Sequence, residues 1–413
     1  MTMLFAIFRT AWRNLWRNYR RTLINMSAVG IGLFLVIVYN GLVAGIMGDA
    51  KNQLGPSGMG HVEIYAPEWR VKHNASLSLA DPAALLARLN VPEGSRVDAR
   101  IVSRGLATTA HGSQGVQIHG IDPATEPLVA NYARDIRQGA ALSAEDLHGI
   151  LIGDTLAERL EVRLGQKIRL MVQRADGEMG ADLFRVRGIF HSISPHLSRG
   201  LVLITNRAAR ELLGVGDVAH QIIIQLNRAD AADAVAATLK ASLGPGFDVV
   251  TYGELMPILK SMEGLVNSIS AVMEIFVYLL VGLGIMNTML MSVLERTREF
   301  GVLRALGTRS RQIVGEILAE AFWIATISVL VGSTLGLLLI WTGSHHALID
   351  MSKSMGEGME IGGSVLKTTF RTEFALLPAI QAAVMVYVLT LLVGLYPAWR
   401  VTKVQPAVAL RAV

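Results

Sequence analysis

The stretch Glu295–Gly307 reads ERTREFGVLRALG and separates two long apolar runs of the chain. A charged side chain at the centre of a bilayer costs roughly 2.5–3.5 kcal/mol, so this segment must lie in water although apolar runs flank it closely on both sides. Its own apolar residues are too few to span anything. We predict a short helix that lies along the membrane and enters a groove on a water-soluble partner. The alternative is a plain solvated loop between two spans.

Local signals describe the inside of this segment. Gly301 predicts a bend, and Gly307 predicts a stop. The i,i+3 spacing predicts an ion pair between Glu295 and Arg298. The other positions with an expected local role are the partner-facing apolar residues Phe300, Val302, Leu303 and Leu306, and the two candidate caps of the next helix, Thr308 and Ser310.

The composition indicates a membrane protein with a large soluble part. Of 413 residues, 52% are hydrophobic and only 17% are charged, whereas soluble proteins carry about 25% charged residues. The absence of cysteine excludes disulfides, thiol chemistry and a cysteine-linked lipid anchor. The first apolar run is too long for a cleavable signal peptide, so we expect an anchor that stays in place.

Four apolar runs have the roughly 20 residues needed to cross the hydrocarbon core. Before the first, Trp12 and Trp16 share one face of a basic amphipathic helix suited to an anionic membrane surface, and the alternative is an ordinary positive flank. The predicted segments are an amphipathic elbow at 1–22, spans at 23–47, 269–293, 317–342 and 375–396, a soluble domain at 48–268, the coupling segment at 294–316, a loop at 343–374 and a tail at 397–413.

The soluble domain, residues 48–268, alternates strand-like and helix-like patterns and is predicted to be α+β with two packed subdomains. Asp81 before Pro82 predicts a helix start, with the aspartate as N-cap. Further helices are predicted at 153–160, 206–213 and 229–243. The predicted strands are His61–Tyr65, Arg96–Thr108, Gly115–His119, Lys167–Val172, Leu183–Phe190, Gly200–Thr205 and His220–Leu226.

The distribution of positive charge predicts the orientation. Arginine and lysine are concentrated before the first span, in the 294–316 segment and in the C-terminal tail, which places these parts in the cytoplasm. The 48–268 domain and the 343–374 loop then face the outside. The net charge of +5 therefore reports topology, and no nucleic-acid partner is expected.

Sequence motifs for catalysis are missing. There is no GxxxxGK[ST] loop for nucleotide phosphates, no GxSxG elbow and no HExxH zinc motif. The ten histidines have no carboxylate or cysteine at ligand spacing, so neither a metal site nor an enzyme is expected.

Three polar residues within the predicted spans require an explanation. Glu274 and Glu320 lie near opposite ends of their spans, shallow enough for the side chains to reach the interface, but Glu274 has the alternative role of lining a substrate cavity between subunits. Asn287 is expected to form a structural hydrogen bond between helices, with a functional role as the alternative.

ERTREFGVLRALG resembles the signature of the MacB/FtsX/LolC–LolE permeases, the mechanotransmission (type VII) branch of ABC transporters. The resemblance extends over nearly the whole chain. WRNLWRNYRR at 12–21 is similar to the N-terminal elbow of that family. VQIHGIDPATE at 116–126 and GILIGDTLAERLEVRLGQKIRLM at 149–171 resemble its periplasmic core domain, and YPAWRVTKVQPAVALR at 396–411 resembles its C-terminal end.

The resemblance implies four transmembrane helices, a MacB-like periplasmic domain between the first and second, and a multi-pass protein of the bacterial inner membrane. It also implies a cytoplasmic ABC ATPase dimer as partner and a second permease copy or a paralogue beside it. ATP and Mg²⁺ would be bound by that ATPase, and this chain would bind no cofactor and be non-catalytic. The residues carried over to ATPase coupling are Glu295, Arg296, Arg298, Glu299, Gly301, Leu303, Arg304 and Gly307.

The layout without an ATPase motif is most similar to the LolE-like permeases. It implies release of lipoprotein or lipidated cargo from the membrane, with a periplasmic lipoprotein, chaperone or adaptor as a further partner. Two alternatives stay open: a MacB-like efflux or secretion permease, and an FtsX-like activator of a periplasmic hydrolase.

Overall fold

The computed structural model divides the chain into two compact units. The helical unit comprises Met1–Ile46, Gly264–Ile349 and Phe370–Val413, and the sheet unit comprises Met47–Glu263 and Asp350–Thr369. The residues that the structure describes are 2–17, 19–52, 54, 58–125, 136–192, 194–350, 358–361, 364–367 and 369–402.

The helices are numbered in chain order. They are α1 (Thr2–Arg17), α2 (Tyr19–Asn52), α3 (Trp69–Lys72), α4 (Pro82–Arg88), α5 (Asp154–Arg159), α6 (Pro195–Gly200), α7 (Asn206–Leu213), α8 (Ala232–Leu243), α9 (Tyr252–Leu255), α10 (Pro257–Glu295), α11 (Thr297–Ala305), α12 (Ser310–His345) and α13 (Leu376–Thr402).

The strands are numbered in the same way. They are β1 (Val62–Tyr65), β2 (Leu79–Ala80), β3 (Arg96–Thr108), β4 (Ser113–Ile121), β5 (Ile136–Gly139), β6 (Gly149–Gly153), β7 (Lys167–Gln173), β8 (Met179–Phe190), β9 (Leu201–Thr205), β10 (Val218–Ala219), β11 (Gln221–Gln225), β12 (Asp248–Thr251), β13 (Ile349–Asp350), β14 (Gly358–Ile361), β15 (Ser364–Lys367) and β16 (Thr369–Phe370).

Helices α2, α10, α12 and α13 are each long and apolar enough to cross a membrane. The four predicted spans therefore correspond to four helices, and the α/β domain lies between the first and the second, as expected. The helices are longer than the predicted apolar runs, because hydrogen bonding within a helix continues into polar residues that lie beyond the hydrocarbon.

Helices α2 and α12 approach each other at glycines. A Cβ atom built on Gly332 would lie 2.6 Å from the carbonyl oxygen of Gly30, and one built on Gly336 would lie 2.9 Å from Ile37. Small residues allow the backbones of membrane helices to come this close, where packing and not the hydrophobic effect drives association. The sequence VGSTLG on α12 therefore forms a structural contact that the sequence interpretation missed.

Helix α1 packs against α12. Phe8 and Phe322 meet edge to face with ring centroids 5.2 Å apart, and Trp12 lies 4.9 Å from Trp323 in the same manner. Ala11 and Leu15 are buried, whereas Trp12 and Trp16 remain partly exposed. Part of the apolar face of α1 is therefore buried against α12 within the helical unit.

The sheet unit is built on one ten-stranded sheet. Nine strands follow the order β12-β1-β11-β3-β4-β9-β6-β8-β5, and β7 pairs with both β3 and β8. Strand β3 joins two halves: Arg96–Arg100 pair with β11, and Ile101–Thr108 pair with β4. Each half has its own apolar core, one around Phe184 and one around Trp69. This agrees with the predicted pair of subdomains, although they share one strand.

The ends of two long helices belong to the sheet unit. Ala50 at the end of α2 and Leu259 near the start of α10 are buried in the same core as β1 and β12. Lys51 also donates hydrogen bonds to Glu263 at 2.8 Å and to Asp230 at 3.1 Å. The first and second membrane helices are therefore tied together at the sheet.

Most of the predicted strands and helices are present with small shifts. Asp81 accepts a hydrogen bond from the Ala84 amide at 3.0 Å and caps α4 as predicted. Strands β4 and β8 are longer than expected, and β5, β6 and β12 were not predicted. Strand β6 is buried on both faces, so it lacks the alternating pattern that marks a half-exposed strand.

Candidate functional site

The segment predicted to couple to a partner folds as a separate short helix between two long ones. Helix α10 ends at Glu295, Arg296 takes a non-helical conformation with φ −95° and ψ 6°, and α11 follows. Gly307 has φ +92°, a left-handed conformation that glycine adopts without steric cost, and α12 starts at Ser310. The predicted helix and the predicted stop are confirmed.

Arg296 lies at the corner between α10 and α11, and its side chain is only 12% exposed. Its guanidinium contacts Glu320 at 2.7 Å, Glu299 at 3.2 Å and Glu316 at 3.3 Å, and it lies 5.0 Å from the ring centroid of Phe300. Burial alone would lower the pKa of Arg296, but Glu320, Glu299 and Glu316 outweigh burial and raise it. This side chain therefore fastens α11 to α12.

Two further ion pairs connect this region to the N-terminal helices. Arg17 of α1 contacts Glu299 at 3.0 Å, and Arg21 of α2 contacts Glu295 at 2.6 Å. Burial would raise the pKa of Glu299, but hydrogen bonds from Arg17 and Arg296 lower it. Exposed ion pairs are worth about 0–1 kcal/mol, so these contacts orient the helices more than they stabilise them.

Helix α11 has an anchored face and a free face. Phe300, which we predicted to face a partner, is 2% exposed and packs in the bundle core, so that prediction is wrong. Arg304 is half-buried and donates to the Thr402 carbonyl at 3.3 Å. The side chains that point away from the bundle form what we call the α11 ridge: Arg298, Val302, Leu303 and Leu306.

Three local expectations for the segment are wrong. Gly301 does not bend α11, which is continuous, and it lies buried where Val401 lines the same narrow gap. Glu295 pairs with Arg21 instead of Arg298, because the helix is interrupted between Glu295 and Arg298 and the i,i+3 geometry is lost. The N-cap of α12 is Arg309, whose amide donates to the Gln312 side chain at 3.0 Å, and not Thr308 or Ser310.

The predicted intramembrane residues have different surroundings. Glu320 is 8% exposed and turns inward to Arg296, since a guanidinium offsets the cost of burying a carboxylate. Asn287 is exposed and makes no hydrogen bond to another described residue. It lines a cavity of about 600 Å³ with Arg17, Arg20 and Arg21.

Glu274 of α10 accepts a hydrogen bond from the Asn40 amide of α2 at 2.6 Å. Both residues line a cavity of about 640 Å³ that α13 closes on one side. The structure therefore places Glu274 at a cavity, as one of the two predicted roles requires, although this cavity lies within one chain.

Sequence reasoning missed Glu316, Asn14 and Arg17 as members of the Arg296 network, and Arg21 as the partner of Glu295. Glu316 and Glu320 are four residues apart and thus share one face of α12, a spacing that is visible in the sequence. Asn14 donates to Glu316 at 2.5 Å. Within the described part of the chain, no group of three or more His, Asp or Glu side chains is placed to hold a metal ion.

Two family models match the chain. The model of the MacB-like periplasmic core domain matches residues 22–242, and that of the FtsX-like permease C-terminal region matches residues 271–406. The first covers more than half of the chain. The chain therefore belongs to the family of ABC transporter permeases with a MacB-like periplasmic core domain, and the family expected from the sequence is confirmed.

Individual relatives match the chain at low identity. The pyoverdine export ATP-binding/permease protein PvdT of Pseudomonas entomophila is 24% identical over 97% of this chain and 59% of that protein. The lipoprotein-releasing system transmembrane protein LolC of Xylella fastidiosa is 20% identical over 96% of this chain and 95% of that protein. The crystal structure of the periplasmic region of MacB from Actinobacillus actinomycetemcomitans has 13% identity and a TM-score of 0.35, covering 51% of this chain and 97% of that one.

The lengths of these relatives differ. The chain spans 51%, 59% and 58% of the length of three curated relatives, including PvdT, and nearly the full length of LolC.

Proposed function

We propose that this chain is the non-catalytic membrane subunit of an ABC transporter, in which a separate cytoplasmic ATPase dimer binds the α11 ridge. The ATPase would bind ATP and Mg²⁺, and a second permease copy or a paralogue would supply the other ridge. Both termini and α11 are then cytoplasmic, and the sheet unit is periplasmic. The protein would lie in the bacterial inner membrane.

This proposal rests on the two different faces of α11, one anchored in the helical unit and one exposed. Its inner face is held by Arg296, Phe300 and Arg304, so a displacement of α11 also moves α12. Its outer ridge leaves Leu306 78% exposed, together with Val302 at 42% and Leu303 at 37%. Fully burying an exposed Val or Leu side chain contributes roughly 1.5–3 kcal/mol, and covering these side chains contributes the share that corresponds to their exposed fraction. A water-soluble partner is the natural occupant, because Arg298 adds a charge that lipid would not accept.

The work is then delivered to the sheet unit. Helices α2 and α10 both end in its core, and Lys51 joins the two ends through Glu263. A movement that starts at α11 is transmitted along the chain through α10. Cargo therefore need not pass through the helical unit.

Release of lipoprotein or other lipidated cargo from the membrane is the preferred task. The support is the match to LolC over 95% of its length. The matches to PvdT and MacB proteins of similar score support export with a periplasmic adaptor as the second candidate. Reconstitution with the ATPase and with labelled lipoprotein decides between them: ATP-dependent release supports the first, and its absence from every lipoprotein tested contradicts it.

The coupling role is tested by charge reversal and polar substitution on the ridge. We expect Arg298→Glu and Leu303→Asp each to leave the protein in the membrane but to reduce ATPase association at least tenfold, because both insert a repelled charge into the interface. The measurement is co-purification and binding of the ATPase in detergent.

Arg311→Glu is the matched control, since Arg311 is also exposed but lies outside α11. ATPase binding by Arg311→Glu should equal that of the wild type. Unchanged binding by both ridge variants would refute the coupling role.

A further inference from the structure

Glu274 stands out among the carboxylates of the membrane helices. Glu295, Glu316 and Glu320 each contact an arginine, but no lysine or arginine nitrogen of the described residues lies within 4.0 Å of Glu274. Its carboxylate accepts a hydrogen bond from the neutral amide of Asn40 and interacts with the neutral hydroxyl of Tyr278. An intramembrane carboxylate is costly and normally has a counter-charge or a functional role.

Two helices independently give the depth of this pair. At 1.5 Å per residue, Asn40 lies about 28 Å along α2 from Arg21, and Glu274 lies about 31 Å along α10 from Glu295. The hydrocarbon core is about 30 Å thick. With Arg21 and Glu295 at the inner surface, Asn40 and Glu274 therefore lie at the boundary between acyl chains and head groups of the outer leaflet.

The cavity beside this pair changes character with depth. Its outer part is lined by the polar side chains of Asn40, Glu274 and the exposed Gln381, beside the apolar Pro378 and Ile380. Its deeper part is lined by Val384 and by further apolar residues of α13, one to two turns along the helix. A polar mouth above an apolar groove has the same polarity gradient as one amphiphile standing upright in a leaflet.

We propose that this cavity binds an outer-leaflet phospholipid whose head group carries a primary ammonium. The ammonium would donate hydrogen bonds to the Glu274 carboxylate, and Gln381 would donate to the lipid phosphate. The acyl chains would lie along α13. Charge complementarity selects this occupant, since a head group that carries no cation leaves the carboxylate uncompensated.

The site is separate from the α11 ridge and lies at the other end of the membrane helices. Its failure would leave the coupling proposal untouched, and loss of ATPase binding would leave this site untouched. The two ideas can thus be tested separately.

The test uses the delipidated full-length chain in detergent and three phospholipids with identical acyl chains, with binding measured by native mass spectrometry. We expect phosphatidylethanolamine to bind about tenfold more tightly than phosphatidylcholine, whose quaternary ammonium has no N–H to donate, and phosphatidylglycerol to bind most weakly. Glu274→Gln should reduce phosphatidylethanolamine binding to the phosphatidylcholine level, and Glu274→Asp should retain a preference.

Two tryptophan substitutions on α13 provide the control. Val384→Trp fills the proposed cavity and should abolish the preference for phosphatidylethanolamine. Leu392→Trp fills a different, wholly apolar cavity near Phe322 and should leave the preference intact. Equal affinity of the wild type for the three lipids, or a preference that survives Glu274→Gln, would overturn the proposal.

Discussion

At the scale of single residues, Arg296 explains how a charged segment can sit against membrane helices. Its side chain is removed from water, a change that costs several kcal/mol for an isolated ion. Three carboxylates surround it and share its positive charge, and Phe300 covers its guanidinium. The charges that seem to exclude the segment from the protein interior therefore form its attachment to α12.

His119 is a buried polar residue of a different kind. It lies on β4 between β3 and β9, and neither ring nitrogen has a hydrogen-bond partner among the described residues. Burial, and secondarily the charge of Arg100, lower the pKa of His119 from 6.5 to about 3. The folded protein thus keeps this ring neutral while the unfolded chain protonates it below pH 6.5.

The pH dependence of stability follows from this difference. Because the unfolded state binds the extra proton, the free energy of unfolding is highest above pH 6.5 and falls as the pH drops towards 3, by on the order of 4 kcal/mol for this group. We expect His119→Leu to be at least as stable as the wild type at pH 7.5 and to lose less stability at pH 4.5. Thermal unfolding of the full chain at the two pH values measures this.

His148 provides the control for this experiment, because its ring is 60% exposed. His148→Gln should keep the wild-type fall in unfolding temperature between pH 7.5 and 4.5. An equal fall in His119→Leu would contradict the argument.

At the scale of secondary-structure elements, the contact between α2 and α12 is made by backbone atoms, so no side chain can move aside when a methyl group is added there. A methyl group on Gly332 would meet the backbone oxygen of Gly30 at 2.6 Å, and backbone cannot rotate away. Gly284 of α10, by contrast, has no atom within 4 Å of an added Cβ. The same substitution should therefore be destabilising at Gly332 and nearly neutral at Gly284.

We expect Gly332→Ala to destabilise the helical unit by roughly 1–3 kcal/mol, the usual cost of overpacking. Gly284→Ala should change stability by less than about 0.5 kcal/mol. Thermal unfolding in detergent compares them. Indistinguishable unfolding temperatures would show that the close contact is unimportant.

The predictability of the elements depends on which kind of signal they carry. The four spans follow from hydropathy alone, and β3 was predicted with its observed bounds although its burial does not alternate strictly. Strand β12 was missed because it has only four residues. The Arg296 network was missed because its members lie on different helices, and Asn14 and Arg17 of α1 are also far away in the sequence. Local spacing predicted an ion pair between Glu295 and Arg298. Because the helix is interrupted at Arg296, Glu295 forms an ion pair with Arg21 instead.

At the scale of the whole molecule, α10 is one of the two helices, with α2, that both units share. Its first residues, such as Leu259, are buried in the core of the sheet unit, and its last residue, Glu295, adjoins the α11 ridge. The proposed function requires that this helix transmit movement from one end to the other. Interrupting it should therefore separate ATP hydrolysis from work on the sheet unit.

Leu265→Pro tests this requirement. Leu265 is 61% exposed, so the change affects the backbone more than packing, and proline in a helix interior costs about 3 kcal/mol or more. We expect ATPase binding to persist while nucleotide-dependent changes in hydrogen exchange of β1 and β12 disappear. Leu265→Ala should behave like the wild type, and persistent nucleotide-dependent exchange changes in the proline variant would contradict transmission through α10.

The glycine contact between α2 and α12 also affects how much of a displacement of α12 is transmitted to α2. Side chains between two helices accommodate part of a helix displacement, because they can change rotamer while the backbone of the second helix stays in place. Where Gly30 contacts Gly332 no side chain lies between the backbones, so the two helices can shift very little relative to each other. A small displacement of α11, transmitted to α12 through Arg296, would then displace α2 by nearly the same amount. The proposed function therefore does not require a large movement of α11.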